Sequence, residues 1–491
     1  MNCKTLAILV LVTACQPQEA APPTGPKTPY AIGSSTLFIH DESRSYDSVG
    51  GIDAGIRTLI TETWYPVDHE SLAGSSDAYR KATYGDYVFG DRAMHRRMMT
   101  KTTFFHLTPD TVREGVTSQQ IDAAIDELFS RERGSFVDAP IAEGDAPWPV
   151  IVMTHGDAGS RYNMESACEY LAAHGYFVIA PEHTGNSPYS MSGHDPAIAD
   201  NPGFREKMSP VMQYLDELGA YGTEEHYGQS YTPLSEGRGS IEFLQYLDRS
   251  LLQRLNDLRA TLDELDRMNS AGPLAGRLNL ERIGLMGRSF GGTTTLLGLA
   301  MEPRFTAGFS VVPAAWADPR PALPVDTLAA PDEESVLLAA EGPFPVLTFD
   351  KPTFLLSGAE DRTIIGLGAA MAATGGVGAP TPENPHPLLR QAYESSDAPI
   401  VWGLLADSNH ASFGISGSYW WPELKPDTQM RYFEPDGEFT LVKPALAHQL
   451  QKELALAFFD LTIREDAAAK GRLLENRYQP EGLTLESRNF E

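Results

Sequence analysis

Ser289 lies in a sequence pattern that favours a nucleophile. It is the centre of Gly-Arg-Ser-Phe-Gly at 287–291, which follows the apolar segment 283–286 and precedes a helix-forming run. Because glycine has no Cβ atom, the two glycines permit a sharp turn from strand to helix, and the serine hydroxyl can be exposed at the helix N-terminus. Ser289 could instead be an ordinary helix N-cap, but the flanking strand and both glycines favour a nucleophile.

A serine nucleophile needs a base and an acid that orients the base, and the chain offers both downstream. Asp361 follows the apolar segment 352–358, and Glu360 beside it competes for the acid role. His410 follows the last apolar segment, 399–405, and this position favours it as the base over other histidines such as His183 and His386. The order serine, acid, histidine is typical of one known arrangement of this triad.

Backbone N–H donors for an oxyanion can come from two turns. The apolar segment 149–154 leads into a glycine-rich turn at 155–159, where the N–H of Asp157 could join that of Phe290. The acidic side chain of Asp157 is expected to point away, because a carboxylate beside a developing oxyanion would oppose catalysis. All these residues follow predicted strands, and sites in open α/β sheets lie at the carboxyl ends of strands.

The residues together predict acyl transfer to water through an acyl-enzyme, with Ser289, Asp361 and His410 as the triad. This chemistry needs no cofactor, and no His, Asp or Glu cluster has metal-ligand spacing. A secreted serine peptidase or amidase would use the same residues. A catalytically inert, surface-binding lipoprotein is the alternative from another class, although a binding protein has no physical need for all three side chains.

The N-terminus predicts export. Residues 1–14 have one early lysine and a short apolar core, which is too short to span a bilayer and is typical of a cleaved signal peptide. Val-Thr-Ala-Cys at 12–15 resembles a bacterial lipobox, so Cys15 is the predicted lipidation site and 15–29 a flexible tether. The expected location is therefore the cell envelope, with a lipid anchor at Cys15 in a bacterial membrane.

Composition and charge limit the remaining function classes. The chain is 42% hydrophobic and 21% charged, as in ordinary globular proteins. The formal net charge of −28 disfavours nucleic acids and anionic membrane surfaces as partners, so membrane contact is expected only through the lipid. Apart from Cys15, the mature chain would keep only Cys168, which excludes an intramolecular disulfide framework.

Residues 30–491 are expected to form one α/β domain with long insertions. Strands are predicted at 36–39, 57–65 and 176–181, and an amphipathic helix at 241–268. The helix at 444–463 is expected to close the fold. The insertions, which could build a lid over the site, are predicted near 83–145, 185–239, 313–349 and 366–398.

Several motifs resemble the α/β-hydrolases, within them the platelet-activating factor acetylhydrolase and dienelactone-hydrolase-like group. They are Thr-Trp-Tyr-Pro at 63–66, Pro-Trp-Pro at 147–149, His-Gly-Tyr at 174–176, Pro-Glu-His at 181–183, Arg-Leu-Asn-Asp-Leu at 254–258 and the serine motif. The resemblance implies an α/β-hydrolase fold, with a mostly parallel central sheet flanked by helices. It also implies hydrolysis of short-acyl esters or of phospholipid-like amphiphiles.

Two departures from the family pattern affect these expectations. In the acetylhydrolases the catalytic acid follows the strand after the serine helix, but here the strand at 305–312 is followed by no acid before Asp318. Asp361 is therefore the preferred acid, and Asp318 is the second candidate. Dienelactone hydrolases use a cysteine nucleophile, so lactone opening is not implied for a chain that carries Ser289.

Overall fold

The protein is described here from a computed structural model. The structure describes residues 28–73, 79–89, 92–101, 107, 111–144, 146–187, 195–228, 240–315, 318–340, 349–374, 378–415 and 419–490. The predicted signal peptide, Cys15 and nearly all of the tether lie outside these residues, as do parts of the predicted insertions.

Most strands of the described chain belong to one large sheet. The strands, β1 to β13 in chain order, are Ala31–Asp41, Arg57–Val67, Lys81–Thr83, Glu132–Val137, Trp148–Thr154, Phe177–Pro181, Leu278–Arg288, Phe305–Val311, Thr353–Gly358, Ile400–Leu405, Thr428–Met430, Glu438–Thr440 and Leu483–Arg488. The eleven-stranded sheet has the order β13-β10-β9-β8-β7-β5-β6-β2-β1-β4-β3, and β11 and β12 form a separate antiparallel pair.

The centre of the sheet is parallel. Strands β6, β5, β7, β8, β9 and β10 run in one direction, and antiparallel neighbours flank them, with β2 beside β6 and β13 beside β10. The carboxyl ends of the six central strands therefore meet at one edge of the sheet. Ser289 follows β7, Asp361 comes shortly after β9 and His410 shortly after β10, so this edge brings them together.

Helices cover both faces of the sheet. They are, from α1 to α12, His69–Ala73, Arg92–Lys101, Ser118–Ser130, Glu165–Ala173, Pro196–Asp200, Pro202–Gly228, Ile241–Ser270, Phe290–Met301, Arg362–Thr374, Pro387–Ser395, Pro444–Thr462 and Ala469–Leu474. Helices α4 and α11 pack together on one face, and α7 and α8 pack together on the other. The chain is thus an α/β-hydrolase fold, with a large and mostly parallel sheet between helical layers.

The two-residue period of β5 shows how the sequence specifies these layers. Ile151 and Met153 belong to the apolar cluster that contains α4 and α11, whereas Val150 and Val152 belong to the cluster that contains α7. Successive side chains of a strand point to opposite faces, so a strand buried on both faces is a continuous apolar run. Such runs made the central strands recognisable from the sequence.

The sheet extends further at both edges than the sequence analysis expected. The stretch 83–145 was expected to interrupt the fold, but its last part forms β4, which pairs in parallel with β1. The helix α11 was expected to close the fold, yet β13 follows it and pairs along the whole of β10. The stretch 185–239 contains the helices α5 and α6 where it is described.

Among the described helices, none combines the length and apolar character that a membrane-spanning segment requires.

Candidate active site

Ser289 occupies a strained turn between β7 and α8. Its φ of 59° and ψ of −123° lie outside the regions that non-glycine residues normally adopt. The turn is held because Ser289 donates its backbone N–H to the Val311 carbonyl at 2.8 Å. A Cβ atom on Gly287 would approach the Gly291 carbonyl oxygen to 2.4 Å, and one on Gly291 would approach Thr154 O to 2.1 Å. Both glycines are therefore required by contact distances.

A continuous hydrogen-bonded relay joins the three predicted triad residues. The Ser289 hydroxyl lies 2.8 Å from His410 Nε2, and His410 Nδ1 lies 2.7 Å from Asp361 Oδ2. With the ring proton on Nδ1, His410 donates to the carboxylate and its Nε2 accepts from the serine. This is the arrangement in which a histidine can take the serine proton. Ser289 and His410 are each only 7% exposed, so little water surrounds the relay.

Asp361 is held as a charged acceptor. Burial alone would raise its pKa, but the attraction and hydrogen bond of His410, together with the Ile364 N–H at 3.0 Å, lower the pKa overall. Asp318, the second candidate for the acid, instead accepts hydrogen bonds from the Arg320 guanidinium at 2.8 and 2.7 Å. Glu360 accepts from Arg431 at 2.6 Å. Asp361 is thus the acid that the fold places against His410.

The loop that carries His410 is fixed from two sides. Asn409 caps the short 3-10 helix His410–Phe413, accepting from the N–H groups of Ala411 and Ser412 at 3.0 and 3.1 Å. Arg288, buried directly before the nucleophile, donates to the His410 carbonyl. Burial lowers the pKa of Arg288 to about 10, and Asp361 opposes that effect. Arg288 therefore stays cationic at neutral pH.

The glycine-rich turn lies directly beside the nucleophile. A Cβ atom on Gly156 would be 3.1 Å from the Ser289 Cβ and 3.7 Å from its hydroxyl oxygen. Phe290 is the first residue of α8, where backbone N–H groups have no partner within the helix. The turn after β5 and the first turn of α8 thus border the same space, as the predicted pair of oxyanion donors requires.

The Asp157 side chain is engaged by Asn186, which follows β6. Asn186 Nδ2 donates to Asp157 Oδ1 at 2.7 Å. The carboxylate thus has a hydrogen-bond donor of its own, in keeping with the expectation that only its backbone N–H serves an oxyanion.

Arg254 of α7 lies beneath these turns and is fully buried. Its guanidinium donates to Asn186 Oδ1, to the His155 carbonyl, to Thr154 Oγ1 at 3.1 Å and to Thr294 Oγ1 at 2.9 Å. It also lies 4.8 Å from the centre of the Phe290 ring. One side chain therefore contacts both turns that carry the candidate oxyanion donors.

The neighbouring histidines are structural and neutral. Burial lowers the pKa of His183 to about 3, with Arg254 adding to the effect. His183 bridges Asp257 at 2.9 Å and Thr154 at 2.8 Å. Burial likewise lowers the pKa of His155, which accepts the His183 N–H at 2.9 Å. His386, another rival for the base, lies 2.8 Å from the Gly358 carbonyl.

Sequence reasoning missed the roles of Asn186, Asn409 and Arg254. The Asn409 cap has a readable signal, because asparagine before a short helix is a preferred N-cap. Arg254 was noticed only as part of a family motif, since nothing in an amphipathic helix pattern shows that a charged residue is fully buried. In the described chain, no group of three or more His, Cys, Asp or Glu side chains could hold a metal ion.

Comparisons with known proteins match part of this chain to one family. The family model of platelet-activating factor acetylhydrolase, isoform II, matches residues 119–331. The chain has an α/β-hydrolase fold and is similar over these residues to the platelet-activating factor acetylhydrolases. The match includes Ser289, Asp157 and Arg254 but ends before Asp361 and His410, so the acid and base rest on the geometry given above.

Individual relatives show the same similarity over part of the chain. It is 25% identical over 177 residues to the platelet-activating factor acetylhydrolases of Cavia porcellus and of Canis lupus familiaris. The match to the Cavia relative covers 36% of the chain and 37% of the relative. The match to the Canis relative covers 35% of the chain and 36% of the relative. It thus spans little more than a third of the length of these relatives.

A solved structure matches nearly the whole fold. A ferulic acid esterase from Streptomyces cinnamoneus superposes with a TM-score of 0.52, covering 94% of this chain and 98% of its own, at 17% identity. At that identity the likeness shows the fold.

Proposed function

We propose that the protein is a serine-dependent carboxylic ester hydrolase that acts through an acyl-enzyme. The observation that carries the proposal is the relay from Ser289 through His410 to Asp361, with hydrogen bonds of 2.8 and 2.7 Å, at the strained turn that begins α8. A strained backbone that places a serine hydroxyl against a histidine ring nitrogen favours nucleophilic catalysis over a structural role.

In the first half of the reaction, Ser289 Oγ attacks the ester carbonyl carbon while its proton passes to His410 Nε2. Asp361 stabilises the imidazolium, and the N–H groups of Asp157 and Phe290 hold the negative oxygen of the tetrahedral intermediate. The intermediate then collapses, the bond to the alcohol breaks, and the alcohol leaves with the proton from His410. The acyl group remains on Ser289.

In the second half, water takes the place of the alcohol. His410 accepts a proton from water as its oxygen attacks the acyl carbon, and the same N–H groups hold the second oxyanion. Collapse releases the carboxylic acid, and Ser289 recovers its proton from His410. The cycle consumes one ester and one water, and yields one acid and one alcohol.

The proposed substrates are short-acyl esters or phospholipid-like amphiphiles. The similarity to the platelet-activating factor acetylhydrolases over residues 119–331 supports this class, because those names describe the hydrolysis of an acetyl group from platelet-activating factor.

The test is hydrolysis of p-nitrophenyl esters from acetyl to dodecanoyl by residues 28–491, beside Ser289→Ala. A second arm uses phosphatidylcholine with either an acetyl or a palmitoyl group at the second glycerol carbon. We expect activity that Ser289→Ala abolishes, with a preference for short acyl groups. Ser289-independent activity would refute the mechanism, a long-chain preference would refute the substrate class, and cleavage of peptide anilides alone would favour an amidase.

We also propose that the protein is an exported lipoprotein anchored through Cys15. The support is the apolar segment before Val-Thr-Ala-Cys at 12–15. Full-length protein made in bacteria should enter the detergent phase on phase partitioning, and Cys15→Ala should enter the aqueous phase. Cys168→Ala is the matched control and should behave as wild type. Wild-type protein in the aqueous phase would contradict the anchor.

A further inference from the structure

A buried cluster joins the two turns that carry the candidate oxyanion donors. Its members are Arg254, Asn186, Thr154 and Thr294, here called the Arg254 clamp. Arg254 Nη2 donates to the carbonyl of His155, the first residue of the glycine-rich turn, while Arg254 Nε donates to Thr294 Oγ1 in the first turns of α8. The guanidinium thus links the two segments whose separation sets the distance between the Asp157 and Phe290 N–H groups.

The partners of Arg254 explain why an arginine is used. Every hydrogen-bond acceptor named for its guanidinium is an uncharged oxygen, from a carbonyl, an amide or a threonine hydroxyl. A guanidinium has five N–H donors in a rigid planar fork, so it can hold several acceptors at fixed separations, which the flexible ammonium of lysine cannot do. The arrangement can therefore act as a positioning device.

Asn186 extends the clamp to the Asp157 side chain. Its carbonyl oxygen accepts from Arg254 Nη1, and its Nδ2 donates to Asp157 Oδ1 at 2.7 Å. Because Arg254 fixes which end of the amide is the acceptor, the Nδ2 group is directed at the carboxylate. The carboxylate is therefore restrained in one position beside the nucleophile, and a swing toward the oxyanion would cost that hydrogen bond.

We propose that Arg254 and Asn186 are positioning residues for the oxyanion hole: Arg254 sets the spacing of the Asp157 and Phe290 N–H groups, and Asn186 keeps the Asp157 carboxylate away from the oxyanion. This inference rests on the proposed ester hydrolase function. Neither side chain touches His410 or Asp361 in the hydrogen bonds described, so the clamp acts on the oxyanion and leaves the proton relay unchanged.

The test compares an ester with its thionoester, in which sulfur replaces the carbonyl oxygen. Sulfur is larger and a weaker hydrogen-bond acceptor, so an ordered oxyanion hole favours the oxygen ester and a disordered one loses that preference. The variants are Arg254→Lys, Arg254→Met and Asn186→Ala. The control is Arg259→Met, also on α7, which removes a guanidinium that pairs with the exposed Glu334.

We expect Arg254→Met to lower kcat for p-nitrophenyl acetate by about 100-fold, the size of effect that small misplacements of catalytic groups produce. KM and the midpoint of the pH profile should change little, and the preference for oxygen over sulfur should fall. Asn186→Ala should do the same to a smaller extent, Arg254→Lys should restore part of kcat, and Arg259→Met should match wild type.

Several results would overturn the clamp. Rates are expressed per serine labelled by a phosphonate, so that loss of folded protein does not count as loss of kcat. Unchanged kcat in Asn186→Ala and in the folded fraction of the Arg254 variants would refute it, as would equal losses on both esters. No hydrolysis by wild-type protein would refute the proposed function and the clamp together. If wild-type protein hydrolyses the ester and the variants keep the wild-type kcat, the clamp alone is refuted.

Discussion

Two adjacent residues at the end of β6 enter two different buried charge clusters. His183 faces Asp257, which also accepts from Arg57 and Arg44. Glu182 faces Arg161 at 2.8 Å, in a cluster with Glu62, Arg133, Glu165 and Glu169, here called the Glu165 cluster. The first lies against the Arg254 clamp through Thr154, whereas the second lies between β2, β4 and α4.

The two clusters differ in charge balance. Although burial opposes ionisation, Arg57 and Arg44 hold the pKa of Asp257 well below its usual range. In the Glu165 cluster four carboxyl groups face Arg133 and Arg161. There burial raises the pKa of Glu62 and, with repulsion from Glu169, raises the pKa of Glu165 to about 8. Asp257 therefore stays ionised across the neutral range, whereas Glu165 titrates within it.

This difference has a physical reason. A network that supports catalytic geometry must keep one arrangement across the working pH, which requires that no member titrates there. A group that does not support the catalytic geometry can titrate in this range, and its titration then changes only the stability of the fold. Substitutions near the clamp should therefore change activity or cost a fixed amount of stability, and substitutions at Glu165 should change how stability depends on pH.

The largest expected effect is at the acid of the relay. Asp361→Asn should lower kcat by about 10⁴-fold, because the amide stabilises the wrong histidine tautomer and no imidazolium. Asp318→Asn is the matched control and should leave kcat nearly unchanged, since Asp318 pairs with Arg320. Steady-state hydrolysis of p-nitrophenyl acetate measures both. A larger loss in Asp318→Asn than in Asp361→Asn would reassign the acid.

The next effect is on stability at the cluster beside the site. Asp257→Ala removes the nearer carboxylate of the buried Arg57 and leaves Asp47 at 3.8 Å, and removing one partner of such a pair typically costs about 3–5 kcal/mol of unfolding free energy. Urea unfolding followed by circular dichroism measures it. Asp263→Ala, on the exposed side of the same helix α7, serves as the control and should cost far less. Equal losses of unfolding free energy in the two variants would show that the buried cluster contributes no more to stability than an exposed ion pair.

The third prediction concerns pH. Glu165 has a folded-state pKa of about 8, above the value of 4.5 that applies to an unperturbed glutamate. The folded state therefore holds a proton that the unfolded state releases, so this group makes stability fall as pH rises from about 4.5 to 8. Glu165→Gln keeps an acceptor for the Tyr84 hydroxyl and removes the titration.

The unfolding free energy of Glu165→Gln should accordingly exceed that of wild type by a margin that grows between pH 5 and 8. Urea titrations of both proteins at several pH values give the difference directly, so that other titrating groups cancel. A constant difference across that range would refute the assignment of a raised pKa to Glu165.

The sequence was sufficient for the central strands and for the positions of the triad candidates. Strands β5, β9 and β10 and the second half of β7 are buried on both faces, so each is a largely apolar run that leads to a turn with a candidate functional residue. Gly287 and Gly291 mark the turn because their neighbours leave no room for a Cβ atom. Local pattern and tertiary contact agree at these positions.

The sheet edges and the buried charges could not be predicted in the same way. β4 and β13 contain charged and exposed residues, and they are strands only because β1 and β10 offer pairing partners far away in sequence. Arg254 and Glu165 lie on helices whose sequence pattern predicts exposure for charged residues. Their burial depends on which helix face meets the sheet, which is a property of the assembled fold.

The most direct test of the central claim is to locate a covalent adduct by mass spectrometry. The protein is treated with a p-nitrophenyl alkylphosphonate, which forms a stable bond to an activated serine, and is then digested for peptide mapping. We expect one adduct, on Ser289, that is absent in Ser289→Ala and forms far more slowly in His410→Ala. An adduct on another residue, or no adduct on folded wild-type protein, would contradict the assignment of Ser289 as the nucleophile.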